Sequence, residues 1–359
     1  MTQKVPLYGN AMQPYERDFL LSSVLAGYHR INIDGKKLKL KTKFNIDILY
    51  EASEIYYDVY NQCKNDEIMD DDDIYKFICD YHNWNEEEEK RLDIDIPKYI
   101  ENCKIEMYKN YRTKDHFKKA IKYVLKAEEE HDRLYSVRHG FDYLSCHGTA
   151  LFARHQFIIE NSIFDSDGNP YELNPNELAK VMTIYNQKRL SEVKLRELSR
   201  TDPWRVSWSV GKKTHLFSSP AFELSDEQKR LVQWSIMYDN IYENPDCPSD
   251  TVIENDYLLD GWLLLKKKEK EKDKKREEIE QRIGNNKNAE EVYVVAQKED
   301  GTYDEELVKD VFDMNDEQSR RIINSRLDIV NKHGAVTQEN FYDVQQELMM
   351  KSNRGHNAR

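Results

Sequence analysis

The sequence predicts a mainly α, elongated helical protein with a small N-terminal β-hairpin and a short C-terminal β element. Three observations lead there. Glycine and proline are scarce, 12 and 9 in 359 residues, too few for a fold built of strands and turns. Apolar residues recur at three- and four-residue spacing along much of the chain. Charged residues make up 34% against 39% hydrophobic, which leaves much helix surface in water and favours a thin shape. The aromatic share of 11% argues against wholesale disorder.

RDFLLSSVLAG opens as a short helix with Leu20, Leu21, Val24 and Leu25 on its apolar face and Gly27 as its stop. In INIDGKKLKLKT, Ile31 and Ile33 alternate with polar residues, as do Leu38 and Leu40, and Asp34-Gly35 marks a hairpin turn. Phe44 to Tyr60 returns to helical spacing. The Asp70–Asp73 run lacks the turn glycine and spaced ligands of an EF-hand loop and reads as an acidic first helical turn. Residues 116–163 read as a long helix or helix pair, with Gly140 and Gly148 as interruptions. DSDGNPYELNP is a connector, and 176–200 is one further helix. Asp202 and Pro203 suit N-cap and N1 of a helix that Gly211 ends, and Ser225 with Gln228 forms a capping box. The helix after it carries Leu231, Trp234, Tyr238 and Ile241 as a stripe. LLLKKKEKEKDKKREEIEQR interleaves both charges and reads as a solvated strut. EVYVVAQ at 291–297 is a strand, and a capped helix runs from Asn315 to Gly334, with a short one about Phe341–Met350. The expected regions are 1–115, 116–265 (Trp-rich), 266–288 (strut) and 289–359.

The net charge of −13 repels nucleic-acid phosphate unless basic groups cluster, which argues against nucleic acid as a partner. Five scattered Cys with no CxxC pair fit reduced thiols. No stretch approaches the ~18 apolar residues that a membrane span needs.

His131, His139, His147 and His155 recur every eight residues, and Glu128 with His131 copies the ExxH pair of di-iron bundles. Eight helical residues rise ~12 Å, so consecutive members of this series cannot share one ion on a straight helix. No second ExxH is present, and ordinary histidines are expected. Cys146-His147 are adjacent and so diverge on a helix, which is no nucleophile–base pair. GxSxG, the P-loop, GxGxxG and HExxH are all missing. No catalytic residue, metal ligand or cofactor is assigned.

The aromatic residues remain. Trp204, Trp208, Trp234, Tyr238 and Trp262 fall within one sixty-residue span. They form either a compact core or the hot spots of an interface, and they are the candidate partner-binding residues. RELSRTDPWRVSWSVGKK, LSDEQKRLVQWSIMYDNIYENPDCPSD and VIENDYLLDGWLLLKKKEKEKDKK resemble uncharacterised structural-region proteins of large tailed bacteriophages. YERDFLLSSVLAGYHRINIDGKKLKLKT and EVYVVAQ are similar to the same group. The resemblance implies a non-enzymatic tail- or baseplate-assembly factor, or minor structural protein. It would bind a tape-measure or baseplate-hub protein in the host cytoplasm, with retention in the virion left open. Two alternatives stay open: a phage regulator binding RNA polymerase or nucleic acid through the strut at Lys266–Arg282, and a di-metal helical-bundle oxidase around Glu128 and His131.

Overall fold

The computed structural model describes residues 12–211, 216, 217 and 220–283, with isolated positions between 309 and 347. These residues form a mainly α protein with a three-stranded antiparallel sheet. The expected C-terminal β element at 291–297 lies outside the described residues, as do all but isolated positions of the two helices expected beyond it. The chain divides into two compact units, Met1–Leu264 and Leu265–Arg359.

Helix α1 (Pro14–Ala26) starts with Pro at its N-terminus and ends at Gly27, whose φ of 68° is costly for any residue with a Cβ. Leu21 and Val24 are buried as expected, whereas Leu25 is exposed. Strands β1 (Tyr28–Ile33) and β2 (Lys36–Lys41) pair in the register that Asp34-Gly35 dictates, with Ile31 opposite Leu38. Then follow α2 (Ile46–Asn65) and α3 (Asp71–His82). The capping box between Asp70 and Asp73 bears out the acidic first turn. A short α4 (Glu86–Lys90), a π turn at Arg91–Asp95 and α5 (Ile96–Lys109) lead to the long α6 (Lys114–His139). That helix ends before Gly140. α7 (Cys146–Glu160) is capped by Ser145 and carries Gly148 in its first turn, where a Cβ would lie 2.0 Å from the Asp142 carbonyl oxygen. Strand β3 (Ile163–Phe164), too short to show a pattern in sequence, completes the sheet.

The helix expected over 176–200 is two helices, α8 (Pro175–Lys188) and α9 (Glu192–Arg200). The break has a local and a distant cause: Ser191 caps α9, and the Leu190 N–H leaves the ladder to bond the buried Glu227 carboxylate, 37 residues away, at 2.9 Å. α10 (Trp204–Gly211) begins one residue later than Pro at N1 would place it. α11 (Asp226–Tyr242) opens with the expected box of Ser225 and Gln228. A loop and the short α12 (Asp250–Ile253) deliver the chain to α13 (Asp256–Ile283).

In the first unit, the inner face of the sheet packs Ile31, Ile33, Leu38 and Leu40 on Ile159, Leu178 and Val181 of α7 and α8. Ile74, Ile78, Trp84, Leu92 and Leu134 form a second core between α3 and α6. α5 and α6 pack together across the 115/116 boundary. Gly261 lets α13 lie against α5, since a Cβ there would sit 2.1 Å from the Lys104 carbonyl oxygen. In the second unit, the described part of α13 carries the exposed pairs Lys266–Glu269, Lys267–Glu271 and Lys274–Glu278.

Candidate functional site

Four of the five aromatic residues singled out from the sequence are enclosed by this chain's own residues. Trp204 and Tyr238 are 0% exposed, Trp262 3% and Trp208 7%. Helical spacing does bring Trp204 and Trp208 to one face, with ring centroids 6.0 Å apart. The five do not form one patch. Trp204 and Trp208 pack with Leu195, Leu198 and Leu231, whereas Tyr238 and Trp262 pack with Met107, Val124 and Leu259. Half-buried Trp234 touches both groups and joins them. The expectation of a docking surface made of these rings is therefore corrected to core: a ring without exposed area offers nothing to a partner. Two of the enclosed indole N–H groups are also satisfied from within. The Trp204 indole donates to Ser235 Oγ at 2.7 Å and the Trp208 indole to Asp239 Oδ2 at 2.8 Å.

A charge network that the sequence did not reveal lies against this double core. Arg196 on α9 is 7% exposed in its side chain and reaches Asp260 at 2.7 Å. It also stands 3.2 Å from Asp256, misaligned for a hydrogen bond, with its guanidinium 4.4 Å above the Trp234 ring. Arg200 pairs with Asp256 and donates to Tyr238 Oη at 3.1 Å. Lys104 on α5 donates to the other oxygen of Asp260 at 3.1 Å. Tyr257 donates to Glu128 on α6 at 2.8 Å, and burial foremost pushes its phenol pKa well up. One turn of α13 thus ties α5, α6, α9 and α11 together. This network is invisible in a linear reading, because its members lie up to 156 residues apart, as Lys104 and Asp260 do.

The histidine series does not converge. His147 Nδ1 meets Tyr56 Oη at 2.6 Å, His139 Nδ1 meets Asp142 at 2.8 Å, and His131 and His155 lie against tyrosine rings. Glu128 is held by Tyr257, and among the described residues no three His, Cys, Asp or Glu side chains come together. Cys146 is buried, its Sγ donates to the Ile68 carbonyl at 3.2 Å, and burial foremost raises its pKa, which disfavours a thiolate.

No protein-family model, no curated protein and no solved structure matches this chain.

The enclosed polar groups nearest to a reactive arrangement are Ser23, His29 and Glu227. Ser23 Oγ lies 2.8 Å from His29 Nδ1 and 3.2 Å from the Tyr28 carbonyl. His29 Nε2 stands 3.9 Å from Glu227 Oε2, which has no hydrogen-bond partner. That gap is too long for the relay of a Ser–His–acid triad. Burial also works against an ion pair here: it foremost pushes the His29 pKa down and the Glu227 pKa up. For Glu227 the folded state holds its proton to higher pH than the unfolded chain. Stability from this group is full below the ordinary glutamate range and is lost as pH rises through the raised value. Glu227→Gln is therefore expected to unfold at a higher urea concentration than the parent at pH 8, and at the same concentration at pH 4. Equal midpoints at both pH values would show that burial of this carboxylate carries no cost.

Proposed function

We propose that this protein is a non-enzymatic assembly factor or minor structural component of a phage tail or baseplate, and that it binds another virion protein. The observation that carries the reading is a displacement of aromatic surface. The tryptophan cluster is spent on the core, while α2 and α7, packed side by side, leave Tyr50, Tyr57, Leu151 and Phe152 exposed. Tyr57 alone shows 63% of its surface. Tyrosine and phenylalanine are enriched at interfaces, and exposed large apolar side chains favour being covered. The Tyr56–His147 hydrogen bond at 2.6 Å links the two helices. A helical partner such as a tape-measure or hub protein fits a surface of two packed helix flanks, and the net charge of −13 keeps such a complex soluble. The resemblance to structural-region proteins of large tailed phages supports the same reading.

Co-expression with the tape-measure and hub proteins of one phage tests it. The complex is expected to co-elute, and Tyr57→Ala with Phe152→Ala is expected to weaken it at least tenfold without moving the thermal midpoint by more than a few degrees. Failure of both proteins to bind the parent chain, or unchanged binding by the folded double variant, overturns it.

A further inference from the structure

The outer face of the sheet is basic in an acidic protein. Alternation and burial place Ile31, Ile33, Leu38 and Leu40 inward, so Tyr28, Arg30 and Asn32 of β1 point outward with Lys37, Lys39 and Lys41 of β2. Phe164 of β3 lies on the same face, opposite Lys39. None of these seven side chains is acidic, although the chain holds 67 Asp and Glu against 54 Lys and Arg.

The pairing is unfavourable for the fold alone. Arg30 stands directly opposite Lys39 in the antiparallel register. Like charges in that position destabilise a sheet. Arg30 and Lys37 have neither a hydrogen-bonding nor an ion-pairing side chain among the described residues. Lys39 donates only to the Ser166 carbonyl at 2.8 Å, and the Lys41 ammonium sits 3.6 Å over the Phe164 ring. Acids about the sheet are otherwise engaged: Asp34 holds Lys180, Glu177 holds Lys36, and Asp165 accepts from the amides of its own turn. Asp167 at the tip of that turn is exposed.

Arg30 also belongs to a second basic feature. It lines a cavity of about 200 Å³ with Ser23, His29, Lys188, Arg189 and Lys194, and again no acid lines it. Lys194 stands 3.9 Å from Glu16, and Arg189 lies within electrostatic range of the buried Glu227, while no ion pair joins Arg30 or Lys188 to a carboxylate among the described residues. Arg30 belongs to both the face and the cavity lining, so the two basic features adjoin at this residue.

We propose that this surface binds single-stranded nucleic acid. Lys37, Lys39 and Lys41 repeat along β2 at about 6.6 Å, two residues of strand apart. A ladder of that length matches a chain of phosphates and exceeds what one small anion can touch. Tyr28 and Phe164 border the ladder at the level of the sheet, where bases can stack. Their partial burial fits stacking better than insertion into a lipid surface. The cavity lined by Lys188, Arg189 and Lys194 takes the strand on beyond β1. Net negative charge elsewhere restricts contact to this one face. The inference is independent of the aromatic surface of α2 and α7 and of any protein partner there.

The full chain is titrated with a fluorescein-labelled oligo-dT of about 20 nucleotides, longer than a typical single-strand site, over a salt series. Binding is expected to weaken linearly in log–log form with salt. Arg30→Gln with Lys37→Gln is expected to raise the Kd roughly tenfold and to flatten the slope by about 0.7 per cation removed. The same variant is expected to unfold at an equal or higher urea midpoint, because the like-charge pair is gone. Lys267→Gln with Lys274→Gln in α13 removes the same charge elsewhere and is expected to leave the Kd unchanged. No binding at low salt, equal affinity in the Arg30/Lys37 variant, or an equal loss in the α13 variant overturns the proposal. So does tighter binding to phosphatidylserine vesicles or to polyglutamate than to the oligonucleotide, which would assign the face to a lipid surface or an acidic protein.

Discussion

Asp256→Ala is expected to lower the unfolding free energy by about 3–5 kcal/mol, the usual cost of removing one partner from a buried charge pair. Asp256 serves two guanidiniums, Arg196 and Arg200, whose side chains are 7% and 12% exposed. Without it, Arg200 keeps only Tyr238 Oη and the Ile253 carbonyl, both neutral. Arg196 keeps Asp260, which Lys104 also uses. Two cations would then share one carboxylate in a site largely closed to water. Arginine cannot discharge by losing its proton, so the penalty cannot be escaped by titration. A triple replacement, Asp256→Leu with Arg196→Met and Arg200→Met, removes the charges together with their desolvation cost and is expected to recover most of the loss. Urea unfolding of the three proteins at pH 7 measures both effects. A loss below about 1 kcal/mol for Asp256→Ala would place the network among surface ion pairs, which contribute little. Such a result would leave apolar packing, with the Asp260 and Tyr257 hydrogen bonds, to tie α13 to its neighbours.

How much of this was readable in the sequence depends on the range of the interaction. Local rules located the hairpin, the stop at Gly27, the acidic cap at Asp70–Asp73 and the box at Ser225, because each is decided within four residues. The split between α8 and α9 was not legible, since the Leu190 amide is claimed by Glu227, 37 residues away. Strand β3 escaped because two residues carry no period. The aromatic cluster was found as a composition, and its helical spacing correctly paired Trp204 with Trp208. Whether a ring faces a partner or the interior is set by which helices cover it. For Trp204 those are α9 and α11, and α11 supplies the Ser235 that meets its indole. The basic face was masked by a different route. Lys37, Lys39 and Lys41 stand out in KKLKLKT, but Lys188, Arg189 and Lys194 are distant in sequence, and a net charge of −13 averages all of them away.

Trp204→Ala is expected to cost about 3–5 kcal/mol, the range for truncating a large aromatic residue in a core. The indole is 0% exposed, packs beside Trp208 and Phe217, and lies in one cluster with Leu195, Leu198 and Leu231. Truncation leaves a cavity bounded by three helices that the remaining links of the network hold apart, so collapse to fill it is restricted. The hydrogen-bond part of the loss is small, because Ser235 Oγ still donates to the Leu231 carbonyl at 2.6 Å. Trp204→Phe restores most of the ring volume and is expected to recover more than half of the loss. Trp234→Ala, at a half-buried position, is expected to cost clearly less than Trp204→Ala. Urea midpoints of the three variants rank these effects. The comparison also separates packing from docking. If the rings serve the core, any fall in partner binding by Trp204→Ala follows its unfolded fraction and vanishes at a temperature where the variant is fully folded. Lost binding by a fully folded Trp204→Ala protein, with a stability cost under about 1 kcal/mol, would instead return this ring to an interface.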